Sequence, residues 1–90
     1  MKKNIFFIGL DISKADFAAS IYKTPGESII TKEAISNDRK GFEILLLWLN
    51  DYHINMKNGH ICMEATGVYS QAIAYYLLFQ GFPEIKDSML

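Results

Sequence analysis

Two carboxylates carry most of the chemistry that this 90-residue sequence offers. Asp11 stands within the apolar run made by Ile5, Phe6, Phe7, Ile8, Leu10 and Ile12, and Glu64 follows Ile61-Cys62-Met63. A run as apolar as the first is the mark of a central strand buried on both faces, and an ionised Asp in it must be paired, coordinated or placed at an opening. If the two runs form adjacent strands, about 4.8 Å apart, their acids repel unless a cation lies between them. Hard oxygen donors of this kind suit Mg²⁺ or Mn²⁺.

The elements that must place these acids follow from periodicity. After the first strand, Ser13 to Asp16 is short and polar. Phe17, Ala19 and Ile21 then alternate with Ala18, Ser20 and Tyr22 as a second strand joined by a hairpin. Thr24-Pro25-Gly26-Glu27 supplies turn chemistry, and Ser28 to Ile35 reads as a third strand. At Ser36-Asn37-Asp38 the period changes, because short polar side chains there accept from the free N–H groups of a starting helix. Phe42, Leu45, Leu46 and Leu49 form one helical stripe that runs to about Tyr52. Asn55 to Gly59 is a connector, and Ile61 to Met63 a short buried strand. Thr66 or Gly67 opens a second helix that passes through Ala72, Ile73, Tyr76 and Leu77 and stops at Gly81, with Pro83 beyond it. The order βββαβα, with a helical crossover before strand four, returns that strand beside strand one and parallel to it, in the sheet order 3-2-1-4.

Composition narrows the class. Half of the residues are hydrophobic and a fifth charged, which fits one small globular α/β domain, or part of one, over residues 1–90 rather than a disordered chain. With nine Lys and Arg against ten Asp and Glu the net charge is −1, so nucleic acid would need a local basic patch or metal ions to bind. A single cysteine, Cys62, excludes an internal disulfide framework and a paired-cysteine zinc site, which makes a cytoplasmic setting the expectation. The apolar N-terminus is broken by Asp11 and Lys14, and nothing approaches the roughly 20 apolar residues that span a bilayer, so no membrane partner is expected.

Three motifs in order, GLDISK (Gly9 to Lys14), NDRKGFEILLLWL (Asn37 to Leu49) and MEATGVY (Met63 to Tyr69), make the chain resemble the N-terminal part of the DEDD transposases of bacterial insertion sequences, relatives of Piv-type DNA invertases. The resemblance covers nearly all of the chain to about Phe82. It implies an RNase H-like (RuvC-like) catalytic core with a mixed sheet, in which four acidic residues bind divalent metal for DNA strand cleavage and transfer. Asp11 matches the first acid of that set and Glu64 the second; the other two, a D-x-x-D pair, lie downstream of residue 90 in the family. The chain thus holds half of a metal site, and on this reading binds Mg²⁺ or Mn²⁺ weakly and is inactive alone. DNA is the implied partner, with a guide RNA in some members. Thr66 and Gly67 at a helix start could offer N–H groups to a phosphate, and Lys14 at the hairpin could contact a backbone oxygen. After Gly81 the family continues into another strand, whereas here Phe82-Pro83-Glu84-Ile85-Lys86-Asp87 follows; the departure reads as a truncated copy or fragment. With no further strand, the edge of strand four stays unpaired and Tyr75, Leu78 and Phe79 lie outside the core, so a homo-oligomer is expected.

Each residue also has a plainer reading. Asp11 could be a strand-end turn residue, and Glu64 an acid in a first helical turn. Asp16 reads as a solvated hairpin residue, and Asp87 lacks the D-x-x-D context. His53 and His60 have no Cys or His partner at ligand spacing and read as surface or capping residues. Cys62 reads as a buried small hydrophobe. Trp48, Tyr75, Tyr76 and Phe79 could stack on bases, but aromatics at helical spacing are more often core. Arg39-Lys40 reads as a solvated face. Two other classes compete for the whole chain: an actin-like or sugar-kinase phosphate-binding lobe, which would need glycines or hydroxyls after Asp11 where only Ser13 stands, and a non-catalytic interaction remnant.

Overall fold

The computed structural model describes residues 5–23, 27–63, 67–82 and 85–87. Strand β1 (Phe6–Ile12) sends Ile8, Leu10 and Ile12 inward and leaves Asp11 exposed. Apolar side chains at every second position suit a pleated surface covered on one side. A tight turn at 13–15, closed by the Ser13 N–H on the Asp16 carbonyl at 2.9 Å, leads into β2 (Asp16–Lys23). β2 runs antiparallel to β1, so that Ile8 faces Ile21, Leu10 faces Ala19 and Ile12 faces Phe17. β3 (Glu27–Ser36) extends the meander on the far side of β2. Its register slips by one residue opposite Ala18, where Ala34 takes φ +58° as a bulge.

Helix α1 (Arg39–Asp51) starts on an extended Asp38 whose carboxylate accepts the Gly41 N–H at 3.0 Å. The helix buries Phe42, Leu45 and Leu49 against the sheet. At its end His53 takes φ +60°, and the N–H groups of His53 and Ile54 donate to the Asn50 and Leu49 carbonyls at 2.9 and 3.0 Å. These two bonds are a Schellman closure, which satisfies the last carbonyls and turns Ile54 into the core. β4 (Gly59–Met63) then runs parallel to β1, with pairs from Phe6↔Gly59 to Leu10↔Met63. A 3-10 turn (Gly67–Ser70) precedes α2 (Gln71–Phe79), which buries Ile73 and Leu77. The stop expected at Gly81 is a second Schellman closure: Gly81 has φ +105°, and Gly81 and Phe82 donate to Leu78 and Leu77 at 3.0 and 3.1 Å.

The fold is the expected α/β, incomplete RNase H-like arrangement, with strand order β3-β2-β1-β4 and a parallel β1–β4 pair. It also has one more strand. β5 (Ile85–Asp87) pairs in parallel with β4, Ile61↔Ile85 to Met63↔Asp87, and makes the sheet five-stranded. The edge of strand four is therefore not open, contrary to the expectation, and the residues after Gly81 do continue into a strand. Three residues are too few to show a strand period.

One core lies between the inner face of the sheet and both helices, with Phe17 against Phe42 (6.2 Å between ring centres) and Phe42 against Tyr76 (5.3 Å) linking sheet, α1 and α2. β1 is central but covered on one face only, which corrects the two-face reading of its apolar run. Trp48 and Tyr76 pack on the core as expected. Tyr75 and Phe79, 71% and 88% exposed, do not; they stand on the outer side of α2. No described helix is long and apolar enough to cross a membrane.

Candidate active site

The alternation that buries Ile8, Leu10 and Ile12 puts Phe7, Gly9 and Asp11 on the opposite face of β1, where neither helix packs. Across this face runs a trough of about 640 Å³, lined among others by Gly9, Asp11, Ser20, Tyr22, Thr31 and Cys62. Gly9 leaves it room: a Cβ there would lie 3.3 Å from the Tyr22 ring. The Ser20 and Thr31 hydroxyls bond to each other at 2.9 Å along its floor, and the Phe7 ring meets His60 with 5.5 Å between ring centres. Cys62 is half-buried on this face rather than in the core, so its reading as a buried hydrophobe does not hold.

Asp11 also borders a second hollow of about 500 Å³, shared with Asp16, Glu33 and the Ala34 bulge. The Asp11 carboxylate makes no hydrogen bond or ion pair among the described residues. Asp16, by contrast, is engaged in the turn, where its carboxylate accepts from Ser13 Oγ at 3.1 Å. Among the described residues no three of His, Cys, Asp and Glu come together as a group that could hold a metal ion. The fit to a hard divalent cation is therefore one of donor type: Asp11 offers an exposed carboxylate with no partner among the described residues.

The last β1–β4 pair is Leu10↔Met63. Asp11 and Glu64 each stand one residue further along their chains, but Glu64 and Thr66 lie outside the described residues, and so does the separation expected between the two acids. Gly67 opens the 3-10 turn, and α2 begins four residues later at Gln71, so the second helix starts further from β4 than its sequence suggested. Tight 3-10 turns are common ahead of helices. Lys14 is exposed on the β1–β2 turn. Arg39, exposed as expected, reaches Glu43 one turn along α1 at 3.4 Å. The backbone of Asp87 pairs with Met63, at the same end of the sheet as Asp11.

One side chain that the sequence offered as part of a cap signal and as the first residue of the second motif links that motif to the other two. The Asn37 side-chain amide donates to the Ser13 carbonyl at 2.9 Å, the Lys14 carbonyl at 3.5 Å and the Tyr69 carbonyl at 3.0 Å. Its own N–H donates to the Ala15 carbonyl at 3.0 Å. Three carbonyl acceptors on one side fix the orientation of the amide. Its oxygen is buried and finds no donor among the described residues. The available signal was position: an Asn just before the capping Asp38, too close to the helix for its reach to show in periodicity. Asp38 itself is held below the usual carboxylate range by the Ser36 hydroxyl, which donates at 2.6 Å, and by the Gly41 N–H.

A family model described as a transposase, of the DEDD type named for IS110, matches residues 8–85. The pilin gene-inverting protein of Moraxella bovis is 31% identical over 72 residues, which are 80% of this chain and 21% of that protein. The protein of the same description from Moraxella lacunata is 32% identical over the same shares. The chain thus spans about a fifth of the length of these curated relatives. Because the matched stretch takes in Asp11, Asn37 and Glu64 and nearly every described element, the chain belongs to the DEDD transposase family.

Proposed function

We propose that this chain forms the first part of a DNA strand-transfer core in which Asp11 and Glu64 hold a divalent metal ion, Mg²⁺ or Mn²⁺. The observation that carries the reading is the parallel β1–β4 register ending at Leu10↔Met63, which brings to one end of the sheet an exposed Asp11, without a partner among the described residues, and the strand that leads into Glu64. When bound, such an ion polarises the phosphoryl oxygens of the scissile strand and stabilises developing charge during in-line displacement. The residues of this chain bind and orient. Asp11 and Glu64 give oxygen ligands; Lys14, exposed on the turn two residues after β1, meets a backbone phosphate; and Thr66 and Gly67 offer N–H groups to another.

DNA is then the partner, and the outer side of α2 the surface for a second copy of the chain. Two of the four acids of the family set are present, so the 90-residue chain by itself binds the ion weakly and does not cut DNA. The phosphate-binding-lobe alternative loses support, because the Ser13 hydroxyl, the one hydroxyl that follows Asp11 in the turn, is committed to Asp16 at 3.0 and 3.1 Å.

The test is a Mn²⁺ titration of ¹⁵N-labelled chain. Amides of Ile12 to Lys14 should broaden selectively, and Asp11→Asn should remove the effect; broadening that ignores Asp11 would sink the metal reading. Incubated with supercoiled plasmid and Mn²⁺, the chain should leave it intact. Nicking abolished by Asp11→Asn would show that the remaining ligands come from within these 90 residues.

A further inference from the structure

We propose that Asn37 is a positioning residue for this site: its side-chain amide clamps the turn after β1 to the 3-10 turn after β4, and so fixes the spacing of the two strand ends that carry Asp11 and lead into Glu64. The importance given to that spacing rests on the metal reading above; the clamp itself does not.

The geometry is specific. Asn37 is separated by 23 and 24 residues from Lys14 and Ser13, and by 32 from Tyr69, yet one NH₂ group reaches all three carbonyls. Those carbonyls belong to segments that share no strand pairing: the β1–β2 turn and the Gly67–Ser70 turn. The parallel β1–β4 ladder ends at Leu10↔Met63, so past that pair no ladder bond holds the two chains together among the described residues. Asn37 bridges them there with its side chain. Its backbone adds a further bond to Ala15, so the turn after β1 is gripped from both sides of one residue.

Asn37 is itself held rigidly. Asp38 caps α1, and Gly41 lets the chain bend from β3 into the helix with Ser36 packed against it. The side chain thus projects from a fixed corner between strand and helix rather than from a loop. An amide nitrogen carries two protons and meets three acceptors, two near 3 Å and one at the limit of a hydrogen bond. Chemistry at the corner demands a donor. An Asp there would keep the shape and set a carboxylate oxygen against carbonyl oxygens, and an Ala would leave carbonyls without a partner.

The experiment compares the whole chain with Asn37→Ala and Asn37→Asp by amide hydrogen exchange, read residue by residue. Both variants should lose protection at least tenfold at Ser13 and in the first turn of α2, while Ile8, Leu10 and Ile21 in the β1–β2 ladder keep theirs. Asn37→Asp, which preserves shape but not donation, should be as unprotected as Asn37→Ala. Unchanged exchange at both turns would overturn the clamp, as would uniform loss across the sheet, which marks general destabilisation, or protection retained in Asn37→Asp, which would assign the effect to packing. In the Mn²⁺ titration the two variants should bind the ion at least fivefold more weakly than the unaltered chain. If the unaltered chain shows no Asp11-dependent broadening, the metal reading fails while the exchange result still judges the clamp. If Asp11-dependent binding is present and equal in the variants, the clamp does not position the site.

Discussion

Asp38 and His53 show how single residues at the two ends of α1 set its stability. The folded state holds the Asp38 carboxylate below its usual range through the Ser36 hydroxyl first and the Gly41 N–H second. A carboxylate whose pKa is lowered on folding stabilises the fold above its unfolded pKa, about 3.9, and loses that contribution as pH falls through the lower folded value. Asp38→Ala should therefore lower the melting temperature at neutral pH, and thermal melts should show the gap to the unaltered chain closing below about pH 4. A gap that is constant with pH would mean that the charge of Asp38 is not what the cap uses. His53 presents the opposite case. Its φ of +60° serves the Schellman closure, but a Cβ makes that conformation costly. His53→Gly should stabilise the chain by about 0.5–1 kcal/mol, a rise of a few degrees in melting temperature. Asp38 was legible in the sequence because Ser36-Asn37-Asp38 is a cap signal. The left-handed His53 was not, since nothing but a glycine would have announced it.

At the scale of elements, the corner between β3 and α1 governs the site as well as the fold. A Cβ on Gly41 would run into the Ser36 carbonyl, whose carbon lies 2.7 Å from that position. The obstacle is backbone, which cannot swing aside as a side chain can. Gly41→Ala should cost on the order of 3–5 kcal/mol, measured by chemical denaturation, and should weaken the protection of the Asn37-bonded turns before it disturbs the β1–β2 ladder. A loss below about 1 kcal/mol would show that strand and helix can part without strain. This corner explains why the motifs occur together. Asn37 and Gly41 belong to one, the acceptors at Ser13 and Lys14 to another, and Tyr69 to the third. Periodicity revealed strands β1 to β4 and both helices but neither the three-residue β5 nor the cross-links, because a hydrogen bond over 32 residues leaves no local pattern. The exposure of Asp11 was half legible: its strand alternates Phe7, Gly9, Asp11 on one face, yet the apolar residues around it read as a strand covered on both.

For the whole molecule, the remaining question is which surface meets a second copy. β5 covers β4 along Ile61 to Met63, so that route to strand exchange is closed. The two edges left among the described elements are poor templates: β5 has three residues, and β3 carries Lys32 and Glu33 beside a bulge at Ala34. The outer side of α2 is different, with Phe79 88% exposed, Tyr75 71% and Leu78 46%. Arg39, Phe42, Tyr75, Tyr76 and Phe79 border a hollow of about 390 Å³ beside it, apolar enough to accept an aromatic ring from a partner. We therefore expect association through α2 and not through the sheet. Light scattering at micromolar concentration should give about twice the 10.3 kDa chain mass, and Phe79→Asp should return it to the monomer value. Because Phe79 is nearly all exposed in the single chain, that substitution should change the unfolding free energy of the monomer by no more than about 0.5 kcal/mol, the range typical of surface changes, when both proteins are compared at a concentration too low for association. A dimer that survives Phe79→Asp would place the contact on a sheet edge after all, and an unaltered chain that stays monomeric would leave this apolar face to be covered by other parts of a longer protein, as the curated relatives, matched over 21% of their length, allow.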